Sequence, residues 1–134
     1  MDSAATVLKA VIDALKGAAP VTSLVASRVF SDVPQNQTFP YVMVSVQSQP
    51  YETQSFSGQQ HTVRIQGFSR KAGPVEALNI RAACYNLLNR NEAALNVGSL
   101  TLVTCEADDA VSDCFIEDDG KTYQSVCEMA VVIQ

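Results

Sequence analysis

Two periods of hydrophobic and polar residues alternate along the chain, and they predict its helices and strands. Residues 3–16 repeat apolar side chains at helical spacing, with Ser3 in the N-cap position and Gly17 after the last turn. A second helical pattern begins at Pro74, because proline suits the first position of a helix. A short helical turn is expected over residues 21–27.

Four segments carry the pattern of half-buried strands, in which alternate side chains point to opposite faces. They are residues 39–47, 60–69, 100–106 and 121–133. The order is therefore α-β-β-α-β-β. It predicts an α+β fold, in which a four-stranded antiparallel sheet of two hairpins has two main helices packed on one face.

Two connecting segments are predicted to be loops. Residues 48–59 are rich in Gln, Ser and Gly, and Tyr51 and Phe56 are embedded in them, which is typical of a long polar hairpin loop. Residues 107–120 are strongly acidic and end in the turn signal Asp119-Gly120. Both segments are candidates for contact with partners.

Composition supports one ordinary globular domain over residues 1–134, with 47% hydrophobic and 17% charged residues. The formal net charge of −5 is unevenly distributed. Residues 105–134 carry one lysine against eight aspartate or glutamate residues, a net charge of −7. Such a surface repels nucleic acid unless a cation intervenes. The alternative interpretation is a solvated acidic hairpin.

The candidate chemistry is sparse. The single histidine, His61, is interpreted as a strand-edge residue, and the four irregularly spaced cysteines as reduced, buried side chains. The sequence contains no phosphate-binding loop, nucleophile elbow or calcium-loop register. We therefore expect no enzymatic activity, no cofactor and no metal. No apolar run approaches the roughly 18 residues needed to cross a membrane.

Several short motifs follow one another in a characteristic order. They are Arg28-Val29-Phe30, Val33-Pro34-Gln35, Phe39-Pro40-Tyr41-Val42, Gly58 with His61 ahead of residues 63–68, Gly73-Pro74, and Asp119-Gly120. Together with the N-terminal helix, this order resembles the tail completion, or tail terminator, proteins of long-tailed phages, prophages and gene transfer agents.

The resemblance implies a structural virion protein at the head-proximal end of the tail, assembled in the bacterial cytoplasm. Members form a six-fold ring that caps the tail tube, ends its elongation and offers a joining surface to the head. The implied partners are further copies of the chain, the major tail tube protein and a head completion or connector protein. DNA would pass through the ring without specific binding. The alternative is another head–tail connector or tail-tube component of similar fold.

Two sets of residues are candidates for these contacts. The first set is expected at subunit interfaces, because it joins loop aromatics to the main concentration of basic side chains: Tyr51, Phe56, Arg64, Arg70 and Lys71. The second set is expected to line the DNA channel, where like charge would let DNA pass without sticking: Asp108, Asp109, Asp118 and Asp119.

Overall fold

The computed structural model describes the backbone of residues 3–53 and 56–134, and the side chains of residues 3–50, 58–107 and 114–134. In chain order the helices and strands are α1 (Ala4–Lys16), α2 (Ala19–Val25), β1 (Val29–Phe30), β2 (Tyr41–Thr53), β3 (Phe56–Ser69), α3 (Val75–Leu88), a 3₁₀ turn (Glu92–Ala94), β4 (Leu102–Ile116) and β5 (Tyr123–Ile133). The α+β class is confirmed.

The sheet has five strands in the order β1-β2-β3-β5-β4, so the predicted count of four is wrong. The additional strand, β1, is two residues long and pairs in parallel with Val42 and Met43 of β2. Two residues are too few to show the alternation of apolar and polar side chains that marks a strand. The pairing of β1 with β2 depends on tertiary structure, which the local sequence does not reveal. The pairs β2–β3, β3–β5 and β4–β5 are antiparallel.

Both predicted loops are largely strand. Strands β2 and β3 extend to Thr53 and from Phe56, through the segment predicted as a polar loop, and Ser48 pairs with His61. Strand β4 continues to Ile116 rather than ending at residue 106. Residues 48–50 of β2 are exposed, and a strand that meets solvent accepts such polar residues.

Helices α1 and α3 pack on the same face of the sheet, where they meet the alternate apolar residues of the strands. The buried residues of this core include Val11 and Leu15 of α1, Ile80 of α3, and Val44 and Ile65 of the sheet. Helix α3 packs closely against Gly67 of β3, since an added Cβ there would lie 2.8 Å from Ile80 Cγ2 and 2.8 Å from Ser125 Oγ.

The two ends of the sheet differ. At the turn end β2 begins, β3 ends, and residues 117–122 connect β4 to β5. A row of paired residues crosses four strands there, running Tyr41, Phe68, Gln124 and Phe115. At the opposite end, the tip end, Thr53 of β2 pairs with Phe56 of β3. None of the helices in the described part of the chain is both long and apolar enough to cross a membrane.

Candidate interaction surface at the turn end of the sheet

Arg70 joins three segments that are distant in sequence. Its Nε donates to Thr122 Oγ1 at 3.1 Å, its guanidinium lies 3.7 Å from Asp119 Oδ2, and its Cζ lies 4.2 Å from the centre of the Phe39 ring. These contacts tie the end of β3 to the β4–β5 turn and to the segment before β2. We call Phe39, Arg70, Asp119 and Thr122 the Arg70 junction.

Asp119 organises the turn itself. Its Oδ1 accepts from the backbone N–H groups of Lys121 at 2.9 Å and Thr122 at 2.8 Å, and its Oδ2 accepts from Thr122 Oγ1 at 2.6 Å. The Thr122 hydroxyl bond, then the two backbone bonds and the Arg70 charge, lower the pKa of Asp119 to about 2. Gly120 takes the positive φ of 72° that this turn requires.

Aromatic rings flank the junction on the solvent-facing side of the sheet. Tyr41 stacks on Phe68 with ring centres 4.9 Å apart, and Phe39 lies 5.0 Å from Tyr41 at a tilt of 53°. Burial first, and then the negative charge of Glu117, raise the pKa of the Tyr41 hydroxyl, while Arg70 opposes them.

A hollow of about 350 Å³ opens at the end of β4 and is lined by residues 115–119. Phe115 is 42% exposed and Ile116 is 47% exposed, on opposite faces of the end of β4. We call this feature the carboxylate hollow, because three acidic side chains follow the two apolar ones. It combines apolar walls with negative charge at an accessible end of the sheet.

The structure separates the predicted interface residues. Arg64 lies on the solvent-facing side of the middle of β3, opposite Glu128, and their charged atoms are 3.9 Å apart. It is six residues from Arg70, or about 20 Å along a strand. Lys71 is exposed, and its backbone N–H donates to Ser69 Oγ at 3.2 Å. The side chains of Tyr51 and Phe56 lie outside the described residues.

The predicted channel-lining residues do not share one loop. Asp118 and Asp119 lie in the β4–β5 turn, whereas Asp108 and Asp109 belong to the backbone of β4. The side chains of Asp108 and Asp109 lie outside the described residues. Arg70 and Asp119, assigned by sequence to different surfaces, meet in the Arg70 junction.

Residues 9–134 match the family model described as "Tail completion protein gp17". The chain belongs to the tail completion family. The resemblance inferred from the sequence motifs is thereby confirmed, and with it the assignment to a non-enzymatic structural family of the phage tail. A comparison with curated proteins finds no match.

A solved structure supports the fold of this tail completion protein. The chain is similar to one in the "Virion of native gene transfer agent (GTA) particle", with a TM-score of 0.85 and 18% sequence identity. The similarity covers 99% of this chain and 98% of the other. At this identity the match establishes a shared fold over nearly the whole length of both chains.

Two buried cysteines of the tail completion protein, Cys84 and Cys105, have raised thiol pKa values. Burial, with the nearby Cys127 as a smaller cause, raises the pKa of the Cys84 thiol to about 12. Burial first, and then neighbouring acidic groups, raise the pKa of Cys105 to about 11. Both thiols are therefore protonated at neutral pH, and thiolate is the nucleophilic form. Among the described residues, no group of three or more His, Cys, Asp or Glu could hold a metal ion.

One polar cluster escaped the sequence interpretation. His61, predicted at a strand edge, is fully buried in a central strand, where Nε2 lies 2.7 Å from Ser3 Oγ and Nδ1 lies 2.6 Å from Ser48 Oγ. The signal was present, because His61 is two residues before Val63 and four before Ile65. Residues at that spacing share a face of a strand.

The hydrogen bonds of this cluster specify a tautomer. Gln59 Oε1 accepts from the Ser3 backbone N–H at 2.7 Å, so the Ser3 hydroxyl, 2.8 Å from the same oxygen, donates to it as well. With its one hydrogen used, Ser3 Oγ accepts from His61, and Nε2 therefore carries a proton. The cluster joins the start of α1 to the β2–β3 hairpin.

Proposed function

We propose that this protein is a tail terminator, which forms a ring on the finished tail tube and provides the surface that joins tail to head. Membership of the tail completion family carries the proposal. The gene transfer agent virion that contains a chain of the same fold supports a place within a particle. In this role residues 1–134 act as one domain, at the head-proximal end of the tail.

The sheet offers a way to close such a ring. Among the described residues, strand β4 pairs on one side only, with β5. At the other side of the sheet, β1 covers only Val42 and Met43, so the following residues of β2 have no strand neighbour there among the described residues. Contact between these two different edges is head-to-tail, and repeated head-to-tail contacts close into a ring when the rotation fits. The six-fold number follows from the family resemblance.

The acidic character of β4 fits a DNA passage. Asp108 and Asp109 are proposed to face the channel, where repulsion between like charges prevents DNA from adhering. Arg64 and Lys71 remain proposed contacts between ring neighbours. Tyr51, Phe56 and Arg70 likewise remain proposed contacts, and Asp118 and Asp119 remain proposed channel-lining residues, although the Arg70 guanidinium also lies 3.7 Å from Asp119 Oδ2 within the subunit.

Electron microscopy of particles from a strain that lacks this gene tests the proposal. Overlong or headless tails together with filled, unjoined capsids are expected. Particles with tails of normal length, joined to heads, would overturn it.

A second experiment separates the terminator from a tail-tube subunit of similar fold. The purified protein at high concentration should stop at rings, as measured by negative-stain microscopy. Long tubes formed by the protein alone would instead assign it to the tube.

A further inference from the structure

The outer edge of β4 is partly covered by the segment that follows α3. The backbone N–H of Arg90 donates to the carbonyl oxygen of Cys105 at 2.7 Å, and Asn89 Oδ1 accepts from the backbone N–H of Ala107 at 2.9 Å. Arg90 Nε also lies 3.9 Å from Glu106 Oε1. Asn89 and Arg90 thus occupy a carbonyl and an N–H through which β4 would otherwise pair with a further strand.

The backbone of Arg90 adopts an unusual conformation to make this contact. Its φ of 55° lies in the left-handed region, which residues other than glycine rarely adopt. The residue before it, Asn89, still donates its N–H to the carbonyl oxygen of Tyr85 at 2.9 Å, as the end of a helix does. A residue in such a conformation persists only where the surrounding contacts hold it. The hydrogen bonds to Cys105 and Ala107 are contacts of this kind.

The remaining parts of the β4 edge differ in regularity. Four residues of β4, 108–111, stand against the single Glu128 of β5, and a second register shift lies at the start of the strand. Extra residues of this kind bend a strand and interrupt its pairing. From Ser112 to Ile116 each residue has one partner on β5. This run is therefore the regular part of β4 beyond the covered residues.

The regular run directs backbone groups away from the sheet. The N–H of Glu117 donates to the carbonyl oxygen of Thr122 at 2.7 Å, so the backbone groups of Glu117 point toward β5. Because these directions alternate along a strand, the N–H and C=O of the preceding residue, Ile116, point outward. Ile116 is also exposed. Its backbone groups are therefore placed to bond a strand added at this edge.

Resting on the proposed function, we propose that Asn89 and Arg90 guard the edge of β4 and confine the strand of a neighbouring copy to residues 112–116. The guard occupies residues 105–107, so a second strand cannot pair there. The strand that fits the open run belongs to a second copy, because the other side of the sheet presents one. Beyond Met43, β2 has no strand neighbour among the described residues. The contact between these two edges is head-to-tail, as a ring requires.

Removal of the Asn89 side-chain oxygen tests the guard. Asn89→Ala deprives the Ala107 N–H of its acceptor. The matched control is Asn89→Asp, which keeps an oxygen at that position but loses, as Asn89→Ala does, the amide donor to Tyr85. The Ala107 amide should exchange its hydrogen about fivefold faster or more in Asn89→Ala than in the control, as loss of one hydrogen bond implies. In sedimentation velocity at equal concentration, Asn89→Ala should self-associate more than Asn89→Asp.

Hydrogen exchange with residue-level resolution also locates the contact between copies. When the wild type assembles into rings, the Ile116 amide should exchange about tenfold more slowly or better, while the Ala107 amide, already bonded, should change little. An Ile116 amide that exchanges equally fast in the ring and in the free subunit would overturn the proposal. Equal self-association of the two Asn89 variants would overturn it as well. Slowing of Ile116 only after another virion protein is added would exclude a second copy as the occupant.

Failure of the inference is distinguishable from failure of the proposed function. If deletion of the gene leaves tails joined and of normal length, the terminator function is wrong. If deletion prevents joining and the protein forms rings in which the Ile116 amide stays unprotected, the terminator function stands and the guard proposal is wrong.

Discussion

The buried cluster around His61 predicts unequal costs for removing its two serine hydroxyls. Ser3 is 1% exposed, and its hydroxyl both accepts from His61 Nε2–H and donates to Gln59. Ser3→Ala therefore deprives a buried ring N–H of this acceptor, which typically costs about 1–3 kcal/mol. Ser48 is exposed, so water can replace its hydroxyl at Nδ1, and Ser48→Ala should cost less than about 1 kcal/mol.

Urea unfolding, monitored by circular dichroism, measures the free energies of unfolding of the Ser3→Ala and Ser48→Ala variants. Ser23→Ala is the control, because its exposed hydroxyl bonds only the backbone of Pro20 among the described residues. In a His61→Leu background, Ser3→Ala should lower the free energy of unfolding by less, because the His61 Nε2–H that donates to the Ser3 hydroxyl is absent. Equal costs for the two serine variants, or a full cost of Ser3→Ala in the His61→Leu background, would refute the tautomer reasoning.

Three further predictions concern packing, pH and thiol reactivity. Gly67→Ala should destabilise the fold by about 1–3 kcal/mol through overpacking against Ile80; in an Ile80→Ala background, which lacks Cγ2, the cost of Gly67→Ala in urea unfolding should be smaller, and a neutral effect of Gly67→Ala in the otherwise unchanged chain would contradict the close approach. The lowered pKa of Asp119 contributes stability that is fully present above its ordinary value near pH 4 and is lost as the pH falls toward about 2. The melting temperatures of wild type and Asp119→Asn should therefore converge on acidification, and a constant difference would argue against the turn bonds. A maleimide added to the folded protein should label Cys114, which is partly exposed, well before Cys84; mass spectrometry that finds the reverse order would show that the core opens.

The sequence predicted the elements whose pattern is local and periodic. Helices α1 and α3 and strand β5 lie close to their expected bounds, because apolar residues repeat through each of them. Strand β1 could not be expected, since two residues carry no period. The outer parts of β2, β3 and β4 were assigned to loops because their polar composition resembles that of loops. Strands that meet solvent accept polar residues as loops do, so composition alone does not distinguish the two.

The contacts of the candidate site were less accessible to sequence reasoning. Arg70 and Asp119 are 49 residues apart, and only the pairing of β3 with β5 brings them together. The acidic residues of the carboxylate hollow were noticed as a cluster. The exposed Phe115 and Ile116 beside them were not, because the strand that displays one on each face was read as a loop.

The pairing of β4 with β5 is irregular, and this irregularity affects how β4 can pair with another copy of the protein. Its pairing with β5 shifts between Leu102 and Thr104 and again between Ala107 and Ser112. A regular edge of this length could pair with the same edge of a second copy, and such a symmetric dimer would occupy the edge that the proposed head-to-tail ring requires. Irregularities bend and twist a strand and interrupt its pairing. The irregular register of β4 thus disfavours the symmetric β4–β4 dimer. The edge stays available for a contact with a different edge of a neighbouring subunit.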